Sequence, residues 1–244
     1  MGDRVMAGHN HGNQLGQPIG FPVPDWQPRQ RPPQTPMDGQ YCRVLSFDPE
    51  RHARDLYDAN SDDAEGRMWS YLPFGPFASF DEYLIAARSW AIKDDWQVHA
   101  IQTAGTITGM ASYMRIDPPA GSIEVGGIMY APRLQRTRAA TEAMYLMMRR
   151  VFDELGYRRY EWKCNALNEA SVRAAGRLGF QYEGTFRQAA VVKGRNRDTA
   201  WFSITDKEWP NVKAGFLAWL SPSNFDAAGR QRQTLTDLRN QQST

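Results

Sequence analysis

Residues 123–145 read IEVGGIMYAPRLQRTRAATEAMY. The apolar first third of this stretch predicts a β-strand, and the last third has the periodicity of a helix. Between them lies a basic loop with Arg133 and Arg136, and Arg138 follows where the helix begins. A helix N-terminus exposes unpaired N–H groups and a partial positive charge, so this layout predicts an anion site for a pyrophosphate. The same composition also fits an ordinary exposed turn.

Strand and helix patterns alternate along the chain, which indicates an α/β fold with a mostly antiparallel sheet. The predicted strands cover residues 41–47, 97–103, 107–116, 123–130, 160–164, 184–192 and 199–204. The predicted helices cover residues 48–59, 80–93, 137–155, 168–178 and 206–220. The helix over 137–155 carries an apolar stripe that we assign to the core, and Gly156 is its expected C-cap.

The chain has 244 residues, 41% of them apolar, which fits one domain with appendages. Residues 1–38 are rich in Gly, Pro, Gln and Asn and are expected to form a flexible arm. Residues 39–220 are predicted to form the folded domain, and residues 221–244 a polar C-terminal tail. The net charge of +2 carries no signature of nucleic-acid binding, so small molecules or proteins are the expected partners.

Cysteine and histidine usage bears on the compartment and on metals. Cys42 and Cys164 are too few for a disulfide framework and match a reducing compartment, so we expect a cytoplasmic protein. No stretch approaches the ~20 apolar residues needed to cross a bilayer, so no membrane partner is expected. His9 and His11 lie in the arm without cysteine or carboxylate companions, so we expect no metal site.

Two motifs resemble the GNAT superfamily of N-acetyltransferases. In the first, Gln135, Arg136 and Ala140 match the superfamily pattern of Gln or Arg, two residues, Gly, one residue, then Gly or Ala. Arg138 stands where the superfamily usually has Gly, and we expect its side chain to contact the phosphates instead. In the second, Asn168 begins a helix that Gly179 ends, although both residues are also ordinary helix caps.

Further stretches resemble the RimJ/RimL branch of this superfamily. They are WSYLPFGPF at 69–77, EGTFR at 183–187, Asp198 before a late strand, and Glu208-Trp209. The resemblance spans about residues 41–220. It implies a GNAT-like α/β fold, in which a mixed, mostly antiparallel, seven-stranded twisted sheet opens between strands 4 and 5 and is flanked by helices.

The resemblance also implies acetyl-CoA as co-substrate, with its pantetheine arm laid along strand 4 like an added strand. The expected cofactor-binding residues are Ile128, Met129, Tyr130, Gln135, Arg136, Thr137, Arg138, Ala139, Ala140, Thr141, Asn168 and Ser171. Gly126-Gly127 within that strand predicts a bulge or a close approach of the ligand to the backbone. Crowding by Trp69 or Tyr71 is the other explanation for this pair of glycines.

Candidate catalytic residues are Glu124 and Ser171. By alternation Glu124 faces away from its apolar neighbours, toward the cleft or toward solvent, and it is the candidate general base for the incoming amine. The tyrosine that many superfamily members use as general acid is replaced by Ala175. In the RimJ/RimL branch a serine at the position of Ser171 has this role, although Ser171 also fits a plain first helical turn.

The acceptor amine is expected to contact the irregular aromatic stretch, through Trp69, Tyr71 and Phe74, as well as Glu124. Asp62, Asp63 and Glu65 just upstream fit either attraction of a cationic amine or a solvated acidic turn. The function we infer is transfer of an acetyl group to a protein N-terminal amine or to a small-molecule amine. A longer acyl group, a catalytically idle acyl-CoA-binding protein and a homodimer remain open.

Overall fold

The computed structural model describes residues 11–241, so His9 lies outside the described residues. Within that range the strands are β1 (His11–Gly12), β2 (Pro18–Ile19), β3 (Met37–Asp38), β4 (Arg43–Ser46), β5 (Trp96–Thr103), β6 (Thr106–Asp117), β7 (Ser122–Tyr130), β8 (Arg159–Asn165), β9 (Gln181–Val192) and β10 (Arg195–Thr205). The α-helices are α1 (Pro49–Asn60), α2 (Phe80–Ala91), α3 (Arg138–Arg149), α4 (Glu169–Leu178), α5 (Trp209–Leu220) and α6 (Leu235–Gln241). A π-helical turn at Arg150–Glu154 extends α3.

The main sheet has the strand order β3-β4-β5-β6-β7-β8-β10-β9, and β1 pairs with β2 in a separate hairpin. All its neighbours are antiparallel except β7 and β8, which are parallel. The seven predicted strands are all present, and the two-residue β3 adds an eighth at the edge. The predicted mixed, mostly antiparallel sheet is therefore confirmed. Strands β7 and β8 are the predicted strands 4 and 5.

Two apolar cores hold helices against this sheet. One unites α3, α5 and α6 with residues such as Tyr113 and Tyr160, and the other unites α1 and α2 with residues such as Val98 and Met110. Neighbouring residues of one strand, Ala100 and Ile101, belong to different cores. Because successive side chains of a strand point to opposite faces, helices cover the sheet on both sides.

Four of the predicted helices start within one residue of the predicted position, whereas the fifth, α5, starts at Trp209 rather than at residue 206. Asp48 caps α1 by accepting hydrogen bonds from the backbone N–H groups of Glu50 and Arg51. Thr137 caps α3 in the same way, accepting from the N–H of Ala140. A side-chain oxygen at the N-cap satisfies a donor that has no partner inside the helix, so these residues place the helix starts.

A buried carboxylate joins α3 to the start of the sheet. Glu142 is 5% exposed, and it accepts hydrogen bonds from the backbone N–H groups of Gln40 (2.8 Å), Tyr41 (2.6 Å) and Cys42 (2.9 Å). A Cβ added at Gly39 would collide with this carboxylate, so the chain needs glycine to pass it. Burial, and then the negative charge of Glu142, raise the pKa of Cys42 far above its usual value.

Residues of the predicted N-terminal arm lie against the domain. Buried Arg150 donates hydrogen bonds to the carbonyls of Thr35 (2.6 Å) and Pro36 (3.1 Å). Trp26 donates through Nε1 to the carbonyl of Pro119 at 2.8 Å. The domain boundary at residue 38 stays a prediction, but Met37 is 1% exposed and belongs to the main core.

The predicted C-terminal tail also packs on the domain. Leu235 and Leu238 of α6 are buried in the main core, and a Cβ added at Gly215 of α5 would stand 3.0 Å from the Cα of Arg239. The absence of a side chain at Gly215 thus lets α6 pack directly on α5. Of the helices between residues 11 and 241, none combines the length and apolar character needed to cross a bilayer.

We expect Glu142→Gln to lower the free energy of unfolding by about 2–4 kcal/mol, because an amide cannot accept all three backbone hydrogen bonds at a buried site. Urea unfolding followed by circular dichroism measures this loss. Glu65→Gln is the matched control, since the side chain of Glu65 is 67% exposed. Equal stabilities for the two variants would contradict the anchoring role of Glu142.

Candidate active site

A cleft of about 1020 Å³ opens where β7 and β8 separate. The two strands pair only from Ser122 to Val125 on β7, opposite Arg159 to Trp162 on β8. Beyond Val125 the edge of β7 that faces β8 lines the cleft. A ligand can therefore pair with this edge as an added strand. The expected opening between predicted strands 4 and 5 is confirmed.

The two glycines lie where the strands separate. The pairing of β6 with β7 shifts between Met110 and Ser112, which places a β-bulge at Gly127, where φ is +57°. A Cβ at Gly126 would lie 2.5 Å from the sulfur of Met114, and one at Gly127 would lie 3.1 Å from the ring of Trp96. The predicted bulge is confirmed, and the crowding comes from Met114 and Trp96 rather than from Trp69 or Tyr71.

One end of the cleft, here called the anion end, is formed by the N-terminus of α3 and by basic side chains of α4. Arg136 lines it from the loop, with φ of +61°, while Gln135 donates through Nε2 to the carbonyl of Tyr130 at 2.8 Å. Arg177 lines it from α4, and its Nη1 donates to Oγ1 of Thr141 at 3.2 Å. The helix N-terminus and the two arginines together suit a phosphate group.

Two arginines expected at the phosphates point elsewhere. The guanidinium of Arg138 lies 3.6 Å from the ring centroid of Phe225, and that of Arg133 forms two hydrogen bonds, of 2.6 and 2.7 Å, with Asp62. Neither residue lines the cleft. The guanidinium of Arg138 is directed away from the cleft, because the C-terminal segment supplies an aromatic ring beside the first turn of α3. Nothing local in the sequence indicates that neighbour.

Most of the other predicted cofactor-binding residues come together. Nine of them line the cleft: Ile128, Met129, Tyr130, Gln135, Arg136, Ala140, Thr141, Asn168 and Ser171. Thr137 and Ala139 do not line it, and Thr137 is engaged as the cap of α3. The side chain of Met129 is buried beside Asn60 in the core under α1 and α2, so only its backbone is available to a ligand.

The start of α4 presents a hydroxyl to the cleft. Asn168 caps the helix by accepting from the N–H of Ser171 at 3.2 Å, and the indole N–H of Trp162 donates to the Ser171 hydroxyl at 3.0 Å. Burial raises the pKa of Cys164, and a hydrogen bond from Ser171 opposes that shift. The hydroxyl proton of Ser171 is thus directed away from the indole. Ala175, which replaces the usual tyrosine, is fully buried.

Glu124 is 3% exposed and lies in the wall of the cleft. Its Oε2 accepts from Nη1 of Arg115 at 2.6 Å and lies 2.8 Å from Nζ of Lys163. Glu124 was predicted to face away from its apolar neighbours, toward either the cleft or solvent. Its side chain faces the cleft. The same ammonium lies 3.8 Å from the ring centroid of Trp201. We call Arg115, Glu124, Lys163 and Trp201 the charged wall.

The ion pairs of the charged wall continue along β8 and β9. Lys163 also pairs with Glu161 at 2.7 Å, and Glu161 pairs with Arg159 at 2.6 Å. Arg159 in turn donates two hydrogen bonds to Glu183, of 2.8 and 2.5 Å. This chain of alternating charges holds the carboxylate of Glu124 in place, because each buried charge has an opposite neighbour.

The aromatic stretch divides between core and cleft. Tyr71 lines the cleft and donates through its hydroxyl to the carbonyl of Leu167 at 3.0 Å. Trp69 is 7% exposed and packs edge-on against Phe77, with ring centroids 5.4 Å apart, and Phe74 packs on Trp90 at 4.6 Å. Neither Trp69 nor Phe74 lines the cleft, because α2 completes an aromatic core around both rings, and their contact with a substrate stays a prediction.

The three acidic residues upstream of the aromatic stretch are engaged within the protein. Asp62 binds Arg133, Asp63 accepts from the N–H of Met68, and Glu65 pairs with Arg67. Their partners satisfy them without any ligand. The solvated acidic turn, rather than the attraction of an amine, is the interpretation that these contacts favour.

Several polar side chains that line the cleft were not predicted from the sequence, namely Arg115, Lys163, Arg173, Arg177, Arg197 and Gln231. Spacing could have identified Arg173 and Arg177, since residues four apart share one face of a helix. Gln231 could not have been found, because it reaches the cleft from the C-terminal segment and accepts from the indole N–H of Trp219 at 2.8 Å. In residues 11–241 no group of three or more His, Cys, Asp or Glu could hold a metal ion.

Comparisons with known proteins match this architecture. A family model described as an acetyltransferase (GNAT) domain matches residues 44–181. The crystal structure of a GCN5-related N-acetyltransferase from Brucella melitensis is 44% identical, with a TM-score of 0.87 over 88% of this chain and 99% of that chain. The SPbeta prophage-derived uncharacterized N-acetyltransferase YokL of Bacillus subtilis (strain 168) is 28% identical over 118 residues, which are 48% of this chain and 66% of YokL.

A more distant structure is that of RimL, the ribosomal L7/L12 alpha-N-protein acetyltransferase, in complex with coenzyme A. It is 17% identical, with a TM-score of 0.60 over 70% of this chain and 97% of that chain. At this identity the similarity shows the fold alone. The matched stretch also spans just under two thirds of YokL, so neither comparison assigns an acceptor.

The Arg159 ion pairs make stability depend on pH. The hydrogen bond from Arg159 lowers the pKa of Glu183, and although burial acts to raise the pKa of Glu161, Arg159 and Lys163 lower it overall. Depressed folded-state pKa values stabilise the fold above the ordinary glutamate value of 4.5, and this stabilisation is lost as the pH falls through the folded-state values.

Arg159→Met should therefore lower the free energy of unfolding at pH 7 by about 1 kcal/mol, a modest cost because Arg159 and Glu183 remain partly solvated. The difference from the wild type should shrink below pH 4.5. Urea unfolding between pH 3 and pH 7 measures it. Arg173→Met is the control, since its pair with Glu169 is more than 70% exposed on both sides. A difference for Arg159→Met that does not change with pH would contradict this account.

Proposed function

Because the chain belongs to the GNAT acetyltransferase family, we propose that it is an acetyl-CoA-dependent N-acetyltransferase of the RimJ/RimL-like branch, acting on a primary amine. The observation that carries this proposal is the opening of the sheet between β7 and β8. The N-terminus of α3 and the buried carboxylate of Glu124 line the same opening. Donor and acceptor can therefore meet in one ternary complex, in which the amine attacks the thioester directly.

The anion end is the proposed site for the phosphates of acetyl-CoA. Arg136, Arg177 and the first turn of α3 would hold them, since fixed guanidinium groups and helix N–H groups both favour phosphate oxygens. The free edge of β7 beyond Val125 would hold the pantetheine arm. The coenzyme A bound to RimL supports this choice of co-substrate, because the two proteins share a fold.

Glu124 is the proposed general base. The amine must lose a proton to become nucleophilic, and a carboxylate within hydrogen-bond reach can accept it directly or through a water. The C–N bond then forms and the C–S bond breaks, so that the acetyl group replaces one amine hydrogen and the coenzyme leaves as a thiol. Arg115 and Lys163 fix the position of the carboxylate in the wall of the cleft.

Ser171 is the proposed donor of the proton that the leaving thiolate takes up. Its hydroxyl lines the cleft and accepts from the indole of Trp162, so its own proton, which is directed at Cys164, would have to turn to the thiolate. The position that holds the usual tyrosine is occupied by Ala175, which is buried and has no acidic group. Because a thiolate is a good leaving group, we expect Ser171→Ala to slow turnover less than a change at Glu124.

The nature of the acceptor remains a prediction, with a protein N-terminal amine and a small-molecule amine as the two classes. A homodimer, a cytoplasmic location and an acyl group other than acetyl also stay predictions. The second candidate function is a catalytically idle acyl-CoA-binding protein. Arg138 gives this second function weak support, because it departs from the family pattern and its guanidinium lies on Phe225.

Acetyl-CoA should raise the thermal unfolding midpoint of the wild type, because a ligand of the native state stabilises it. Arg136→Ala/Arg177→Ala should weaken acetyl-CoA binding by roughly tenfold to a hundredfold through loss of charged hydrogen bonds. Differential scanning fluorimetry over a range of acetyl-CoA concentrations measures both effects. Arg138→Ala is the control and should bind as the wild type does, because its guanidinium lies on Phe225. A loss of acetyl-CoA affinity in Arg138→Ala that exceeds the loss in Arg136→Ala/Arg177→Ala would contradict the proposed phosphate site.

Glu124→Gln should lower kcat by roughly 10²–10⁴-fold while keeping the response to acetyl-CoA, as expected for loss of a general base. Release of the coenzyme thiol, measured over a panel of primary amines, reports turnover. Glu161→Gln is the matched control, since Glu161 shares the same lysine but does not line the cleft. Undiminished turnover in Glu124→Gln would remove Glu124 as the base. Acetyl-CoA binding without turnover of any amine by the wild type would favour the idle alternative.

A further inference from the structure

The charges that extend from the charged wall balance one another. Three cations and three anions alternate through direct ion pairs: Arg115, Lys163 and Arg159 with Glu124, Glu161 and Glu183. The set as a whole therefore carries no net charge. Any further charged side chain beside it must find its counter-charge elsewhere.

Arg197 is such a side chain. It lies on β10, is half-buried and lines the cleft. Its Nε is buried without a hydrogen bond, and the guanidinium has no ion pair with any residue in the range 11–241. Partial burial of a cation without a partner costs free energy, because a partly buried charge is less well hydrated than a fully exposed one. An arginine kept in this position suits an anionic ligand.

The neighbours of Arg197 on β9 are small and uncharged. Ala190 stands directly opposite it on β9, and the neighbouring Ala189 also lines the cleft. Asp198, the next residue on β10, accepts instead from the backbone N–H of Gln188 and from the side chain of Asn196. Successive strand residues point to opposite faces, so Asp198 is directed away from the guanidinium.

Arg197 shares a face of the sheet with one member of the charged wall. It precedes Trp201, the aromatic member of the charged wall, by four residues on the same strand, so both side chains point to one face. Burial raises the pKa of Cys164, and the hydroxyl of Ser171 and the positive charge of Arg197 both oppose this shift. Cys164 lines the same cleft on β8 beside the opening.

The ring of Trp201 forms part of the same surface. It packs against Phe186 with ring centroids 4.6 Å apart, and its Nε1 is buried without a hydrogen bond. Both aromatic rings line the cleft, as Arg197 does. The cleft that Glu124 and Arg197 both line thus also offers an apolar aromatic surface to the linking portion of a ligand.

We propose that Arg197 binds an anionic group of the acceptor, so that the substrate is a primary amine that also carries a carboxylate or a phosphate. This inference rests on the proposed acetyltransferase function. Glu124 receives the amine, and Arg197 pairs with the anion through the two N–H groups of its planar fork. Arg197 is then the residue that determines acceptor specificity, and it supplies the charge selection that the balanced charged wall cannot.

The test offers amines in matched pairs and measures release of the coenzyme thiol at saturating acetyl-CoA. One set compares α-amino acids with their carboxamides, and a second compares 2-aminoethyl phosphate with ethanolamine. The wild type should prefer the charged member of at least one set. Arg197→Gln should lower kcat/KM for that member by roughly tenfold to a hundredfold and leave its uncharged partner unaffected. Arg197→Lys should restore part of the preference, because a point charge replaces the fork.

Arg195→Gln is the matched control, with the same change of charge on the same strand but at an exposed position outside the cleft. It should keep the acceptor preference. Equal loss for charged and uncharged amines in Arg197→Gln, or a raised KM for acetyl-CoA, would overturn the proposal and place the anion on the donor. Efficient turnover of uncharged amines alone would overturn it while preserving the acetyltransferase assignment. Binding of acetyl-CoA without turnover of any pair would overturn both.

Discussion

The site depends on the short pairing of β7 with β8. These parallel strands stay together only as far as Val125 and Trp162, and the bulge at Gly127 then turns β7 away. An opened sheet carries backbone groups that have lost a neighbouring strand, a state that costs free energy unless water or a ligand satisfies them. This cost arises at the opening between β7 and β8. The N-terminus of α3 and the carboxylate of Glu124 line the same opening.

Helix α3 connects this opening to the rest of the domain. Its first residues border the anion end, its apolar stripe fills the main core, and Glu142 anchors the strand start at Gln40 to Cys42. The three roles lie on one helix. Movement of α3 would therefore disturb the core and the sheet edge together, which keeps the anion end rigid.

The two sides of the cleft handle charge differently. At the anion end Arg136 and Arg177 line the opening, and the guanidinium of Arg177 contacts the hydroxyl of Thr141 and the ring of Trp219. Along the charged wall Glu124 has two cations beside it, whereas Arg197, which lines the same cleft outside that wall, has no ion pair with any residue in the range 11–241. With the proposed roles, this arrangement would separate binding of the donor from selection of the acceptor.

The sequence by itself determined the strand and helix order, the cap at Asn168, the bulge at Gly126-Gly127 and the family, because these depend on neighbours only a few residues apart. It also indicated Glu124, through strand alternation. Only the tertiary structure decided which of the predicted side chains reach the cleft. Arg138 turns to Phe225, Trp69 enters a core closed by α2, and Arg197 enters from β10. The physical reason is that each of these orientations depends on a partner far along the chain, which local pattern does not contain.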